Sequence, residues 1–286
     1  MKSKVVVSIK VVLLLSTMVL VSSCFRVQFV NRCKDDNFCI HPDMPLLSQG
    51  SYKLAPIISD LENNSAISRD TGWCSAVSAT MALAAEKYAA PKNVRHHHDI
   101  NRILNIGQYP DIHSRTEAFG PTIHSVGNRI KTNWQRGGTF DSDRKKGFRF
   151  YYNNIRLRNF WRQERNKGDV VVSSRLNNKH FVDLFKKSKP GLVTSFYYYD
   201  KQRNGSYQIK GGHALTMNGY EDGYIKIYDP WGRVYNVELT TNNASGLRNY
   251  PIVKFVSGDS GFVTSYTNST RKIALKRYSY LYSRGK

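Results

Sequence analysis

Acidic residues are scarce in this chain. Asp and Glu number 21 against 43 Lys and Arg, a formal net charge of +22 over 286 residues. That field is high for an ordinary soluble enzyme and favours anionic surroundings such as acidic polymers, lipid head groups or nucleic acid, while saying nothing about chemistry. Long apolar runs are equally few. The run from Val11 to Val21 is too short for a comfortable membrane span. No internal repeat and no low-complexity tract is found, and with 40% hydrophobic and 12% aromatic residues the chain is not a disordered one. Cysteine is limited to four positions, so each of them carries information.

The amino-terminal segment has Lys2, Lys4 and Lys10 flanking or preceding the apolar run, followed by Leu20-Val21-Ser22-Ser23-Cys24. Charge, apolar stretch and small residues in that order read as a signal peptide over residues 1–23. The last five residues resemble a bacterial lipobox, which implies acylation of Cys24 and anchoring in the cell envelope. Loss of residues 1–23 removes three lysines and no acid, leaving +19. Cys33 and Cys39 lie close together in a polar stretch where an exported protein can close a small disulfide loop. Cys74 is left over. An unpaired thiol in an oxidising compartment is either a buried structural group or a working one.

Residues 24–65, rich in Pro, Asn, Ser and Asp, read as a tether and access loop. The stretch CSAVSATMALAAEKYA, residues 74–89, is full of strong helix formers. Cys74, Val77, Met81, Ala85 and Tyr88 recur at helical spacing, Asp70 or Thr71 stands ready to cap the helix, and Pro91 ends it. From Gly191 the pattern changes to strands: LVTSFYYYD, HALTMNGY, GYIKIYD and RVYNVEL, joined by turns such as Glu221-Asp222-Gly223. A helical front and an antiparallel back predict an α+β protein, with a main domain over residues 66–260 and a basic segment over 261–286.

The chemistry-bearing positions fall on these two halves. Cys74 opens the predicted helix, where unpaired N–H groups and the positive dipole end lower a thiol pKa. His213 follows two glycines on one predicted strand and Asp229 ends the next, so adjacent antiparallel strands bring imidazole and carboxylate together. The spacings are 139 positions from Cys74 to His213 and 16 from His213 to Asp229. A carboxylate that orients a ring, and a ring that faces a thiol, form the arrangement of nucleophile, base and third group.

GWCSAVSATMAL together with GGHALTMNGYEDGYIKIYDPWG resembles the papain-like cysteine peptidases, and among them the bacteriocin-processing, or double-glycine-peptidase-like, branch. The likeness covers residues 66–90 and 190–240. It implies a papain-like fold, with a helical half bearing the nucleophile packed on an antiparallel sheet bearing the His and Asp. It further implies an exported cysteine hydrolase acting on a peptide or related amide bond through Cys74, His213 and Asp229, with no cofactor and no metal. Acyl transfer and deamidation use the same residues. One position departs from the pattern: the family carries a Gln six residues before the nucleophile, and this chain has Ser68.

Other clusters carry less. His96-His97-His98-Asp99 has adjacent histidines that do not converge on one ion, and no Cys or His pair at ligand spacing accompanies them. His180 with Asp183 is a rival general-base pair on a short amphipathic stretch. Residues 144–167 hold nine Lys and Arg against one Glu, interleaved with aromatics, and read as a solvated basic face over buried rings. The expected partners are a protein or peptide substrate and an anionic envelope polymer or membrane surface, and export argues against nucleic acid. The competing reading is a catalytically weak or inactive basic envelope lipoprotein that binds anionic polymers or partner proteins, favoured by the missing Gln.

Overall fold

In a computed structural model of the chain the described residues are 38–40, 44–68, 72–85, 109, 111–154, 169–173, 181, 185, 192–240, 245–246, 250–258 and 271–282. All of them belong to one compact unit, Arg32–Lys286. The expected signal peptide, Cys24, Cys33, the His96–Asp99 cluster, His180 and Asp183 lie outside the described residues. So does the basic stretch beyond residue 154.

Among the described residues there are four helices: α1 Leu54–Glu62, α2 Cys74–Ala85, α3 Ile112–Arg129 and α4 Asp141–Asn154. Helix α2 is the hub. Every residue from Ser75 to Ala85 is buried, because its run of Ala and Ser lets neighbours approach on all sides. It packs on α3 and on a strand of the sheet, within a core that includes Leu54, Ile58, Trp73, Phe119, Ile123 and Trp134.

The strands are β1 Phe38–Ile40, β2 Asp169–Ser173, β3 Leu192–Lys201, β4 Tyr207–Glu221, β5 Tyr224–Asp229, β6 Arg233–Thr240, β7 Ile252–Gly258 and β8 Arg271–Tyr282. Their order corrects the papain-like expectation. The sheet is not an open layer against which a helical half packs. It closes on itself in the order β4-β3-β8-β7-β6-β5 and back to β4, an antiparallel six-stranded barrel. Its interior is filled by Phe196, Leu215, Met217, Ile225, Ile227, Tyr235, Val237, Val253, Ile273 and Leu275.

Two features make closure possible. The first is the length of β4: its early part pairs with β3 from Tyr207 to Met217 and its later part with β5 from Thr216 to Glu221, so one strand serves both walls. The second is β8, supplied by the region expected to be a basic carboxy-terminal segment. It stands between β3 and β7, pairs with β2 as well, and is tied to β3 by Arg271, whose guanidinium donates to both oxygens of Asp200 at 2.7 and 3.3 Å. The barrel does not close without it. Deletion of residues 271–286 should therefore abolish cooperative thermal unfolding followed by far-UV circular dichroism, whereas a dispensable tail would leave the transition in place.

Candidate active site

The ladder between β4 and β5 begins at the hairpin, where Asp222 and Gly223 both take left-handed backbone angles, and runs only as far as Thr216 opposite Tyr228. Beyond that point β5 stops at Asp229 while β4 continues towards its start at Tyr207. The barrel wall is thus split on one side, and the start of α2 meets β4 along the open edge. Ala214 donates its backbone N–H to Cys74 Sγ at 3.4 Å. One turn further along the helix, Ser78 Oγ donates to the Ala214 carbonyl at 3.1 Å, and Thr216 Oγ1 donates to the Ser78 carbonyl at 3.0 Å. These buried hydroxyls set the register of helix on strand.

The structure brings together the three residues singled out in the sequence. His213 Nε2 lies 3.0 Å from Asp229 Oδ1, which also accepts the backbone N–H of Trp231 at 2.9 Å. Asp229 is fully buried and His213 is 8% exposed. With Nε2 engaged by the carboxylate, Nδ1 is the ring nitrogen left for the thiol, which is hydrogen-bonded to the ring. Cys74 is free and partly exposed.

The electrostatics follow from burial and pairing. Burial alone pushes the Cys74 thiol up, but the adjacent His213 charge, its hydrogen bond and the Ala214 N–H together hold it below the usual thiol value. For His213 burial pushes down, and the Cys74 sulfur and Asp229 carboxylate raise it to about 10. Both shifts favour the charged forms, a thiolate facing an imidazolium.

The lead-in to Cys74 is held rigidly. Trp73 is fully buried, meets Trp134 edge-on at 5.7 Å and donates its indole N–H to the Trp134 carbonyl at 3.0 Å. Gly138 N–H donates to the Gly72 carbonyl at 3.1 Å. Gly137, at φ +74, sits so close that a Cβ would fall 2.7 Å from the Gly72 oxygen, so no other residue fits there. The first bond within α2 runs from Val77 N–H to the Trp73 carbonyl, and the N–H groups of Cys74, Ser75 and Ala76 have no acceptor inside the helix.

A further polar group stands at this seam that the sequence did not reveal. Gln49 pairs its backbone N–H with the Pro230 carbonyl at 2.5 Å, beside an antiparallel bridge between Ser48 and Trp231. Its side chain is 1% exposed, and Oε1 has no partner among the described residues. Asp229 Oδ2 is likewise buried without one. Gln49 falls in the stretch read as a tether, and its place depends on a contact across 181 positions that no local pattern announces. Ser68 is exposed.

Of the remaining expectations, Cys39 is disulfide-bonded, while Cys33 is not among the described residues. Within the basic stretch Arg144 is buried, donating to Ser195 Oγ at 2.8 Å, and Phe148 is fully buried. Among the described residues no three His, Cys, Asp or Glu side chains gather as metal ligands do. No protein-family model matches this chain and no curated protein matches it.

The ion pair makes a pH profile. Alkylation of Cys74 by iodoacetamide should already be fast at a pH where a free thiol is protonated, and should change again near pH 10 as His213 loses its proton. In His213→Ala, burial acts on the thiol without its counter-charge, so the rise in alkylation should move to higher pH than in wild type. An unshifted profile would show that the imidazole does not govern the thiol.

Proposed function

We propose that the chain is an exported cysteine hydrolase, a peptidase or related thiol amidohydrolase or acyltransferase, acting through Cys74, His213 and Asp229. The observation that carries this reading is the placement of a partly exposed thiol, which takes the Ala214 N–H, beside a buried imidazole whose far nitrogen is held by a buried carboxylate. Structural cysteines are normally inert, and nothing about packing requires a thiol to be ionised.

The steps follow from the residues. The Cys74 thiolate attacks the carbonyl carbon of an amide, and the negative charge moves to the carbonyl oxygen. N–H groups at the start of α2 meet that oxygen, and the buried side-chain amide of Gln49, held beside Asp229 by the Gln49–Pro230 bond, is the further donor, where Ser68 is exposed. His213 gives its proton to the leaving amine as the C–N bond breaks, which leaves a thioester on Cys74. Water then attacks the thioester while His213 accepts a proton, and release of the acid restores the thiolate and imidazolium. Asp229 holds the ring in the orientation both steps need. An amine in place of water gives transfer instead of hydrolysis.

Export and anchoring at Cys24 belong to the same proposal. The lipobox-like run and the disulfide-bonded Cys39 both suit an oxidising compartment outside the cytoplasm.

Cys74→Ala, His213→Ala and Asp229→Asn tested beside wild type with a thiol-directed activity probe should separate the roles. Cys74→Ala should lose all labelling and all amide cleavage with a nearly unchanged melting temperature. A wild type that stays unlabelled at neutral pH would leave the basic binding lipoprotein as the better reading. Gln49→Ala should lower kcat by about 10²-fold to 10³-fold while Cys74 keeps its alkylation rate, because an oxyanion donor acts on the transition state and not on the resting thiolate.

A further inference from the structure

Side chains along β4 alternate between two environments. Leu215 and Met217 point into the barrel, whereas Ala214 belongs to the helical core and Thr216 reaches Ser78 on α2. The same alternation puts His213 and Gly211 on the barrel-facing side. Across the ladder from them stand Phe196 and Tyr198 of β3. The Tyr198 ring packs on the barrel core and lies 6.4 Å from the His213 ring, with their planes 26° apart.

Gly211 is therefore a missing side chain in the barrel wall, directly beside the imidazole. Among the described residues nothing around it demands it: its φ is not positive, and the nearest of their atoms to a Cβ placed there is Tyr198 Cδ2 at an ordinary 3.6 Å. A glycine inside a strand costs stability and marks a bulge or a close approach by something else. Solvent reaches the position, since Gly211 is half-buried and Gly212 exposed. The register with β3 also slips here, from Tyr198 opposite Gly211 to Tyr199 opposite Ile209, which leaves Lys210 as the extra residue of a bulge. Bulges of this kind re-aim strands beside active sites.

We propose that the space above Gly211, walled by Tyr198 and the His213 ring, receives an apolar, preferably aromatic, side chain of a peptide substrate next to the scissile bond. This rests on the thiol-hydrolase reading and names its specificity. The walls decide the class of group. A tyrosine face over a barrel core of Phe196 and Leu215 favours a flat apolar group.

Peptidyl chloromethyl ketones that carry Gly, Leu or Phe next to the ketone alkylate the active-site sulfur in proportion to how well that side chain is seated. Their second-order rates with the full chain are divided by the rate with iodoacetamide, which needs only the thiolate. In wild type the Phe reagent should exceed the Gly reagent by roughly tenfold or more. Gly211→Ala should shrink that preference and Gly211→Leu should bring it close to one. Absence of a preference in wild type, or a preference that survives in both variants, overturns the proposal. Failure of iodoacetamide to label Cys74 at neutral pH is a separate outcome that removes the catalytic reading and this one with it.

Discussion

A thiol biased towards its anion beside a ring biased towards its cation, both largely withdrawn from water, is the interaction around which this structure is organised. Such a pair is unfavourable unless each charge is answered locally, because taking ions out of water costs several kcal/mol apiece. Here the answers are specific. The ring is held from behind by Asp229, and the sulfur takes the Ala214 N–H and lies at the positive end of α2. Removing any of these partners leaves a buried charge without compensation.

The barrel explains how these groups meet. A fully zipped ladder between β4 and β5 would have no edge for Cys74 to approach, and an open sheet would give the carboxylate no enclosed wall. The fold takes an intermediate form in which β4 outruns β5. Its surplus length keeps pairing with β3 while its other edge turns to α2. The paired hydroxyls of Ser78 and Thr216 then hold a buried, nearly featureless helix in one register, which its small apolar residues alone would leave loosely specified.

The same geometry accounts for a site with one side filled and the other open. Trp73, Trp134 and the Gly137–Gly138 turn pack the approach to Cys74 so that it has little freedom. On the far side of the imidazole, Gly211 withholds a side chain that the strand has room to carry. Rigidity at the reacting atoms beside space for a ligand is the combination that orienting a bound group requires.

By itself the sequence determined the local elements and singled out the three residues that the fold brings together. The helix beginning at Cys74 was legible from its run of helix formers, and strands β3 to β6 from their alternation and turns. The pairing of His213 with Asp229 followed from a hairpin, a contact of short range. The closed barrel was not legible, because closure depends on β7 pairing with β6 and β8 with β3, and the latter strands lie some seventy to ninety positions apart. Gln49 was missed for a related reason, since its place depends on a bridge to Trp231. Tertiary structure alone decided that the wall closes, where it splits and which side chain is absent beside the imidazole: each of these is a relation between residues far apart in the chain, and periodicity reports only on neighbours.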